Sequence, residues 1–395
     1  MLEYGFSIGL KARPAPGGHL LRLKRMGSRF LYWRLVWNNL GVRPLRSTLS
    51  VAAMSLQVFL ILFIVGFTSG MVSDWRARSQ GVGADIIVQP ANSSIFFAFS
   101  SAVMPESMGD TIAHLRGVAD VSPVLIVSAI GSGNLSLIYG IDYARYAALS
   151  NGFKFISGGP FTASNQVIAD DLVAHSKHLK VGSVVTLVDR QFVVCGIVLH
   201  GKGARFFIPI ATAQYIQNAE GRVSMFYVRS DGNTEAARAE IVKLLPGSKV
   251  QSMQEYLSLI TSTNLPGLDP FIHSFIGLGV AISFLVVLMT MHTLVLERTR
   301  EIGIMKALGF SKLEVCGLIA VEALVMAGLA IACGLALTGL VYVILLHTAP
   351  TLPVQIGPIW IVRAMVLTIL GAIAGGLYPA MRAAASDPVE ALAYE

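Results

Sequence analysis

The sequence predicts an α-helical membrane protein with four transmembrane helices plus an α+β extracytoplasmic domain inserted between helices 1 and 2. Of its 395 residues, 54% are hydrophobic and only 13% are charged, whereas soluble domains carry about 25% charged residues. Four apolar stretches reach the length of about 20 residues that a helix needs to cross a bilayer. Between the first two of these stretches, strand-like and helix-like patterns alternate.

The first apolar stretch lies too far from the N-terminus, and is too long, for a cleavable signal peptide. The predicted segments are a basic cytoplasmic N-terminal segment with an amphipathic helix (1–47), transmembrane helix 1 (48–71), the extracytoplasmic α+β domain (72–270), transmembrane helix 2 (271–296), a cytoplasmic connecting helix (297–313), transmembrane helix 3 (314–346), a short outer loop (347–357), transmembrane helix 4 (358–380) and a cytoplasmic C-terminal tail (381–395).

Basic residues predict the orientation. Residues 1–47 hold nine Lys and Arg against one acidic residue, residues 296–313 hold four basic residues, and residues 347–357 hold none. Cytoplasmic loops are enriched in Lys and Arg, so both termini and residues 296–313 are expected in the cytoplasm. Residues 73–270 hold fifteen basic and fifteen acidic residues. The excess positive charge therefore flanks a span, which favours contact with anionic lipids over nucleic acid.

The α+β domain shows no catalytic signature. Asp170 and Asp171 resemble a carboxylate pair, but their position favours a helix cap. His175 and His178 lack a third ligand, so exposed histidines are expected. The GKG at 201–203 lacks the GxxxxGK[ST] spacing of a phosphate-binding loop. Residues 96–99, FFAF, suggest either a lipid- or substrate-contacting loop or a packed segment.

Cysteine and histidine spacing predicts no metal site. Cys195 is expected to be a buried thiol, and Cys316 and Cys333 are expected to pack as small apolar side chains. His273 and His347 lie near the predicted outer surface, where a ligand such as haem is a minor alternative. The sequence predicts no catalytic residue and no cofactor of its own.

The connection between spans 2 and 3, LERTREIGIMKALGFSK (296–312), has an unusual density of charge. Ile304, Met305 and Leu308 predict a helical apolar stripe. Gly309 fits a helix-terminating position, and Ser311 with Glu314 forms a capping box that opens the next span. The pattern predicts a short amphipathic helix whose charged face meets a cytoplasmic partner. An interfacial helix without a partner is the alternative.

Two further segments predict structure at the same membrane face. Asp387, Pro388 and Glu390 have the order of an N-cap, an N1 proline and an N3 glutamate. Residues 30–47 are basic, amphipathic and rich in aromatic side chains suited to the interface.

Several motifs resemble the permease subunits of the MacB/FtsX-like ABC transporter family. They are ERTREIGIMKALGFSKLEV, Glu322 in VEAL, GLYPAMRAAASDPVEAL (376–392) and NNLGVRPLRSTLSV. A looser resemblance covers GGPF (158–161), VIADDLV (167–173), 179–198 and FIPIATAQ (207–214). The resemblance extends over most of residues 30–395.

The resemblance implies a homodimer, or a dimer with a close paralogue, in a bacterial inner membrane. It implies a separate ABC ATPase subunit that binds the ATP, because this sequence departs from MacB in lacking a fused N-terminal ATPase. ATP hydrolysis would move the α+β domain to export or extract a substrate. A periplasmic adaptor and an outer-membrane channel are further partners that the resemblance leaves open. The alternatives are an FtsX-like regulator of a cell-wall hydrolase and a passive membrane anchor.

The resemblance and the helix patterns select two sets of site residues. The ATPase-coupling set is Glu297, Arg298, Arg300, Glu301, Ile304 and Lys306. The intramembrane set is Glu322, Ala330, Gly334, Gly371, Gly375 and Arg382. Glu322 is costly to bury unpaired, so it is expected to pair with Arg382, to pair with a neighbouring subunit, or to reach the interface. The small residues predict close helix packing, within or between subunits.

Overall fold

The computed structural model describes residues 44–93, 102–131, 134–261 and 268–385. In chain order its helices are α1 (Pro44–Gly81), α2 (Met108–Ala113), α3 (Tyr143–Leu149), α4 (Asp171–Ser176), α5 (Ile210–Gln217), α6 (Thr234–Leu244), α7 (Met253–Leu259), α8 (Leu268–Glu297), α9 (Thr299–Ala307), α10 (Lys312–Thr348) and α11 (Pro358–Ala385).

In this part of the chain, four helices are long and apolar enough to cross a membrane: α1, α8, α10 and α11. The α+β domain lies in sequence between α1 and α8, so the predicted fold class is confirmed. The predicted amphipathic segment before residue 44, the aromatic run at 96–99 and the cap at 387–390 lie outside the described residues.

The strands of the α+β domain are β1 (Ile86–Pro90), β2 (Met104–Pro105), β3 (Val118–Gly131), β4 (Asn134–Ile141), β5 (Phe155–Gly158), β6 (Gln166–Asp170), β7 (Val184–Leu187), β8 (Arg190–Val198), β9 (Phe206–Pro209), β10 (Arg222–Val223), β11 (Met225–Ser230) and β12 (Ser248–Ser252). Among the described strands, ten form one mixed sheet in the order β12-β1-β11-β3-β4-β9-β6-β8-β5, with β7 paired to β8.

In the sequence, DRQ at 189–191 separates two strand-like runs, which predicts a hairpin, and the structure contains this hairpin. Strands β7 and β8 pair in antiparallel register, with Leu187 opposite Arg190. The two residues between them, Val188 and Asp189, both have positive φ, the backbone that a tight two-residue hairpin turn requires.

The described chain divides into two compact units. One contains the residues up to Leu60, Gly277–Ala336 and the residues from Val362 onward, and the other contains Ile61–Ile276 and Leu337–Ile361. In the second unit, Val72 and Trp75 of α1 pack against an aromatic-rich core of the α+β domain. The sequence also predicts that residues 71–80 continue the first span as a helix, and this prediction is confirmed because α1 is one helix as far as Gly81.

The matching lead-in to the second span is not a continuous helix. The sequence predicts that residues 252–270 lead into the second span as a helix. In the structure, α7 ends at Leu259, and its C-cap residue, Ile260, has non-helical backbone angles of φ −79° and ψ 80°. Only one described helix, α1, therefore joins a transmembrane segment to the α+β domain without interruption.

Candidate functional site

The segment between α8 and α10 forms a firmly fixed corner in the first unit. Helix α9 begins after Arg298, whose amide donates to the carbonyl groups of Leu294 and Val295 at 3.2 Å. The Thr299 hydroxyl donates to the carbonyl of Leu296 at 2.8 Å. These bonds satisfy groups that a helix break leaves without partners and hold α9 against the end of α8.

The end of α9 and the start of α10 carry the two predicted terminal motifs. The Gly309 amide donates to the Lys306 carbonyl at 3.0 Å and the Phe310 amide donates to the Met305 carbonyl at 3.1 Å. With φ of +94° at Gly309, these bonds form a Schellman motif. The Ser311 amide donates to the Glu314 carboxylate at 2.8 Å, and the Glu314 amide donates to the Ser311 hydroxyl at 3.3 Å. The predicted glycine stop and capping box are both confirmed.

The buried side of α9 differs from the predicted stripe. Ile302 is 5% exposed and belongs to the apolar core of this unit, and Met305 packs against the same core. Ile304 is 45% exposed and Leu308 is 76% exposed. Met305 thus faces the core together with Ile302, one turn away. Ile304 and Leu308 face outward, on the side that the membrane interface or a partner would cover.

The exposed side of α9 combines charged and apolar side chains. Arg300 and Glu301 are exposed, and Arg298 approaches Glu301 with an Nε–Oε2 distance of 3.9 Å. Leu313, in the first turn of α10, is 84% exposed. We call Arg300, Glu301, Ile304, Leu308 and Leu313 the α9 surface. Exposed apolar side chains grouped beside charges are typical of a surface that binds another protein.

Two residues of the coupling set have further surroundings. Glu297 is exposed at the end of α8. The Lys306 ammonium group donates to the carbonyl of Ala384 at 2.9 Å, near the described end of α11. Lys306 therefore ties α9 to α11, an interaction that the sequence alone did not predict. A cation at a helix C-terminus is also favoured by the helix dipole.

The small residues of the intramembrane set pack helices of one subunit together. A Cβ atom at Gly375 would lie 2.8 Å from the Phe284 carbonyl oxygen of α8, and one at Gly334 would lie 2.8 Å from the Ser55 carbonyl oxygen of α1. Ala330 is fully buried in the same core. A Cβ atom at Gly371 would meet nothing closer than 3.7 Å. The question of packing within or between subunits is thus answered for Gly334 and Gly375, which pack within the subunit.

Glu322 and Arg382 lie on different helices of the first unit. Glu322 is 2% exposed. The Arg382 guanidinium lies 3.0 Å from Nε2 of His292, and the His292 ring stacks on Tyr378 with ring centroids 6.5 Å apart. The structure thus gives Arg382 a partner on α8 that the sequence did not predict.

The α+β domain confirms the simpler interpretation of its aspartates. The Asp170 carboxylate accepts a hydrogen bond from the Val173 amide at 2.8 Å, so it caps α4. Asp171 instead accepts from the amide of His200 at 2.9 Å. Burial raises the pKa of the Asp170 carboxyl group, and the nearby Arg205 guanidinium opposes part of this rise. His175 and His178 are exposed, as expected.

The Cys195 thiol is half-buried, and its Sγ donates to the Val167 carbonyl at 3.4 Å. Burial raises the pKa of this thiol. Across the described ranges, no cluster of three or more His, Cys, Asp or Glu side chains is arranged to hold a metal ion.

A second group of residues was missed by the sequence analysis. Gly66 and Gly70 of α1 have the G-x-x-x-G spacing of close packing, and in the structure they contact the loop between α10 and α11. Arg205 lies beside them in the same unit, where it contacts Asp74, Asp170 and Thr351. The spacing of the glycines was visible in the sequence, whereas the partners of Arg205 were not.

Two family models match the chain. Residues 47–244 match the MacB-like periplasmic core domain, and residues 273–388 match the FtsX-like permease C-terminal domain. The first match covers the end of the N-terminal segment, α1 and most of the α+β domain. The second covers α8, α9, α10 and α11.

Curated relatives agree with these matches. The chain is 26% identical over 451 aligned positions to the macrolide export ATP-binding/permease protein MacB of Rhodospirillum rubrum, with 100% of this chain and 66% of the relative covered. It is 26% identical to the MacB of Hyphomonas neptunium, covering 75% and 46%, and 26% identical to an uncharacterized ABC transporter permease of Methanocaldococcus jannaschii, covering 55% and 58%. The chain thus spans less than two thirds of the length of each relative.

Two solved structures are similar to parts of the chain. The periplasmic region of MacB from Actinobacillus actinomycetemcomitans is 16% identical and aligns with a TM-score of 0.36, covering 46% of this chain and 94% of that one. The extracellular domain of the noncanonic ABC-type transporter YknZ is 16% identical, with a TM-score of 0.33, and covers 43% and 98%.

Proposed function

Because the chain belongs to the MacB/FtsX-like ABC transporter permeases, we propose that it couples ATP hydrolysis by a separate ABC ATPase subunit to movement of its α+β domain. The chain would be a non-catalytic membrane subunit, and the movement would export or extract a substrate. The 395 residues hold no GxxxxGK[ST] motif, so the proposal places the ATP site outside them.

The α9 surface is the observation that carries this proposal. Three apolar side chains, Ile304, Leu308 and Leu313, are 45%, 76% and 84% exposed beside the charged Arg300 and Glu301. Either the membrane interface or a partner would cover such a group, and the charges beside it favour a partner. An ATPase docked there would bury the apolar side chains, while the charges would select the partner and its orientation.

The corner around α9 suits the transmission of force. The Schellman motif and the capping box fix the angle between α9 and α10, and Lys306 ties α9 to α11. A push on α9 would therefore move α10 and α11 rather than bend a flexible loop.

Helix α1 provides a path from the membrane into the α+β domain. It is continuous over Pro44–Gly81, and its last turns are fastened to the domain by several bonds. The Arg76 Nε donates to the Leu257 carbonyl at 3.2 Å, and the Arg78 Nη1 donates to the Gly203 carbonyl at 3.1 Å. A tilt of α1 would carry the domain with it.

The remaining parts of the proposal follow from the family. We place the protein in a bacterial inner membrane with both termini and α9 in the cytoplasm, as the basic residues predict. We also propose a homodimer, or a dimer with a close paralogue. The substrate, the adaptor and the outer-membrane channel stay open.

Affinity purification of the full-length chain from its own membranes tests the proposal. We expect an ABC ATPase to co-purify in detergent and to be lost from the Leu308→Asp variant, because an aspartate would be buried unpaired in the docked surface. Val242→Asp is the matched control, since Val242 is 45% exposed on α6 of the α+β domain. Equal ATPase recovery with both variants would refute docking on α9. Recovery of a cell-wall hydrolase on the α+β domain would favour the regulator alternative.

A further inference from the structure

We infer that Arg205 and the loop between α10 and α11 form a second mechanical link, which joins this pair of membrane helices to the α+β domain. The loop comprises residues 349–357 and is called the α10–α11 loop below. The inference rests on the proposed function, because a link of this kind matters only if the domain moves. Every contact that carries it lies within the second compact unit.

The α10–α11 loop lies directly on the backbone of α1. The Gln355 amide donates to the Gly66 carbonyl at 2.8 Å, although Gly66 lies within a helix. A Cβ atom at Gly70 would collide with the carbonyl group of Pro353, and one at Gly66 would lie 2.7 Å from Cγ1 of Ile356. The two glycines thus form a flat face on α1, and the α10–α11 loop packs against it. In other membrane proteins, such a face commonly packs against another helix.

Arg205 connects this loop to the domain through three partners. Its Nη1 lies 3.2 Å from the Asp170 carboxylate, its Nη2 lies 3.2 Å from the Asp74 carboxylate of α1, and Nη2 also donates to the Thr351 carbonyl at 3.4 Å. One guanidinium group therefore contacts the domain core, α1 and the α10–α11 loop. Arginine suits this task because its planar group presents five donors in a fixed geometry.

The domain holds the Arg205 guanidinium in place. Asp170 is 1% exposed, caps α4 and donates its own amide to the Arg205 carbonyl at 2.8 Å. Arg78 also approaches Asp74, with an Nε–Oδ2 distance of 3.0 Å. The positive charges of Arg78 and Arg205 thus offset the negative charges of Asp74 and Asp170. The site is partly buried, so removal of one charged group would leave another without its full set of partners. The 3.4 Å bond to Thr351 is the longest contact of the guanidinium, so it is the one that we expect to change when the loop moves.

A cavity of about 350 Å³ lies beside this junction. Its lining comes from α1, α10 and the loop, and includes Gly70, Asp74, Tyr342, Leu346, Pro350 and Gln355. Space on this side allows the loop to shift without first disrupting a close-packed core. Force on α10 would then reach the domain through the loop and Arg205, in parallel with α1.

The test uses the full-length chain assembled with its ABC ATPase in lipid nanodiscs. Two variants weaken the link. Gly70→Ala displaces the α10–α11 loop from α1, and Arg205→Gln removes the guanidinium group that donates to Thr351 of the loop. The matched controls are Gly339→Ala, whose Cβ atom would meet nothing within 4 Å, and Arg145→Gln, whose side chain is 44% exposed and pairs with the exposed Asp110.

Two measurements are made on each variant. Hydrogen–deuterium exchange reports the protection of the 349–357 amides. Electron paramagnetic resonance reports the ATP-dependent change in distance between spin labels at Val242→Cys and Leu285→Cys, with the native cysteines replaced by serine. We expect both variants to exchange the loop amides about tenfold faster and to lose more than half of the distance change, while assembly and ATPase rate stay close to those of the controls.

The other outcomes overturn the inference in distinct ways. A full distance change despite a loosened loop would show that α1 alone moves the domain. Loss of assembly together with the distance change would assign both residues a purely structural role. If Gly70→Ala fails to accumulate, Arg205→Gln and the milder Arg205→Lys decide the question by the same readouts. No distance change in the unaltered complex would instead refute the proposed function, while the exchange data would still report whether the loop is held by Arg205.

Discussion

Asp170 combines two structural roles in an almost fully buried position. It caps α4, pairs with Arg205 and is almost fully buried. A buried carboxylate is costly unless its oxygens are satisfied, and here one oxygen accepts from an amide while the other accepts from a guanidinium. Its replacement therefore leaves the start of α4 without its cap and removes one of the two carboxylates that pair with Arg205.

The Asp170→Ala substitution should destabilise the α+β domain by about 3 kcal/mol, since it removes one member of a buried ion pair. For a domain of this size that corresponds to a fall of roughly 8 °C in Tm. Thermal unfolding of the purified full-length chain measures the shift. The control is Asp110→Ala, because Asp110 makes an exposed ion pair with Arg145 worth at most about 1 kcal/mol. Equal shifts for the two variants would argue against the assigned roles of Asp170.

Cys195 should react slowly with thiol reagents in the folded protein. Burial raises the pKa of its thiol above the ordinary value of 9.0, and only the thiolate reacts. In a variant with Cys316 and Cys333 replaced by serine, alkylation at pH 7 should be at least about tenfold slower than in the unfolded chain, and its rate should still be rising at pH 9. A rate that levels off below pH 8 would indicate an activated thiolate instead.

The transmembrane helices pack through particular glycines rather than through a uniform small-residue stripe. On α11, Gly371 and Gly375 share one motif, yet only Gly375 approaches the backbone of α8 too closely for a Cβ atom. The sequence motif identifies the face, and the structure identifies which member of it makes the contact.

This difference predicts opposite effects for two conservative changes. Gly375→Ala should destabilise the helix bundle by about 1 to 3 kcal/mol through overpacking. Gly371→Ala should be neutral or slightly stabilising, because alanine favours a helix over glycine by about 1 kcal/mol. Thermal stability of the full-length chain in detergent distinguishes the two. If Gly371→Ala proved the more damaging, the assignment of Gly375 to the α8 contact would be wrong.

Local sequence signals predicted the corner around α9 well. Gly309 and the pair Ser311 and Glu314 act within a few residues of the chain, so their roles follow from turn chemistry alone. The sequence did not show that Ile302 faces the protein core, because the apolar side chains of a short helix leave its rotation undetermined. Its orientation depends on which side chains the rest of the bundle accepts.

Contacts between distant segments were beyond the reach of the sequence. Arg205 meets Asp74, Asp170 and Thr351 only after the sheet and the loop have formed, and Lys306 reaches Ala384 only across helices. Strands β5 and β12 were not predicted from the sequence, because FISG and SKVQS are short runs at the two ends of the sheet. Packing, rather than local propensity, makes them strands.

The whole chain combines the exposed α9 surface with a domain fastened to one continuous helix. We propose that an ABC ATPase docks on the α9 surface and that its ATP cycle moves the domain. If the proposal is right, a nucleotide bound by the partner must change the position of the α+β domain.

Distance measurement on the unaltered complex tests that claim most directly. With spin labels at Val242→Cys and Leu285→Cys, the complex in nanodiscs would be compared with no nucleotide and with a non-hydrolysable ATP analogue. We predict two distance distributions whose maxima differ by several ångströms, and we predict that the Leu308→Asp variant keeps the nucleotide-free distribution under both conditions. Identical distributions in a complex that hydrolyses ATP would contradict the account.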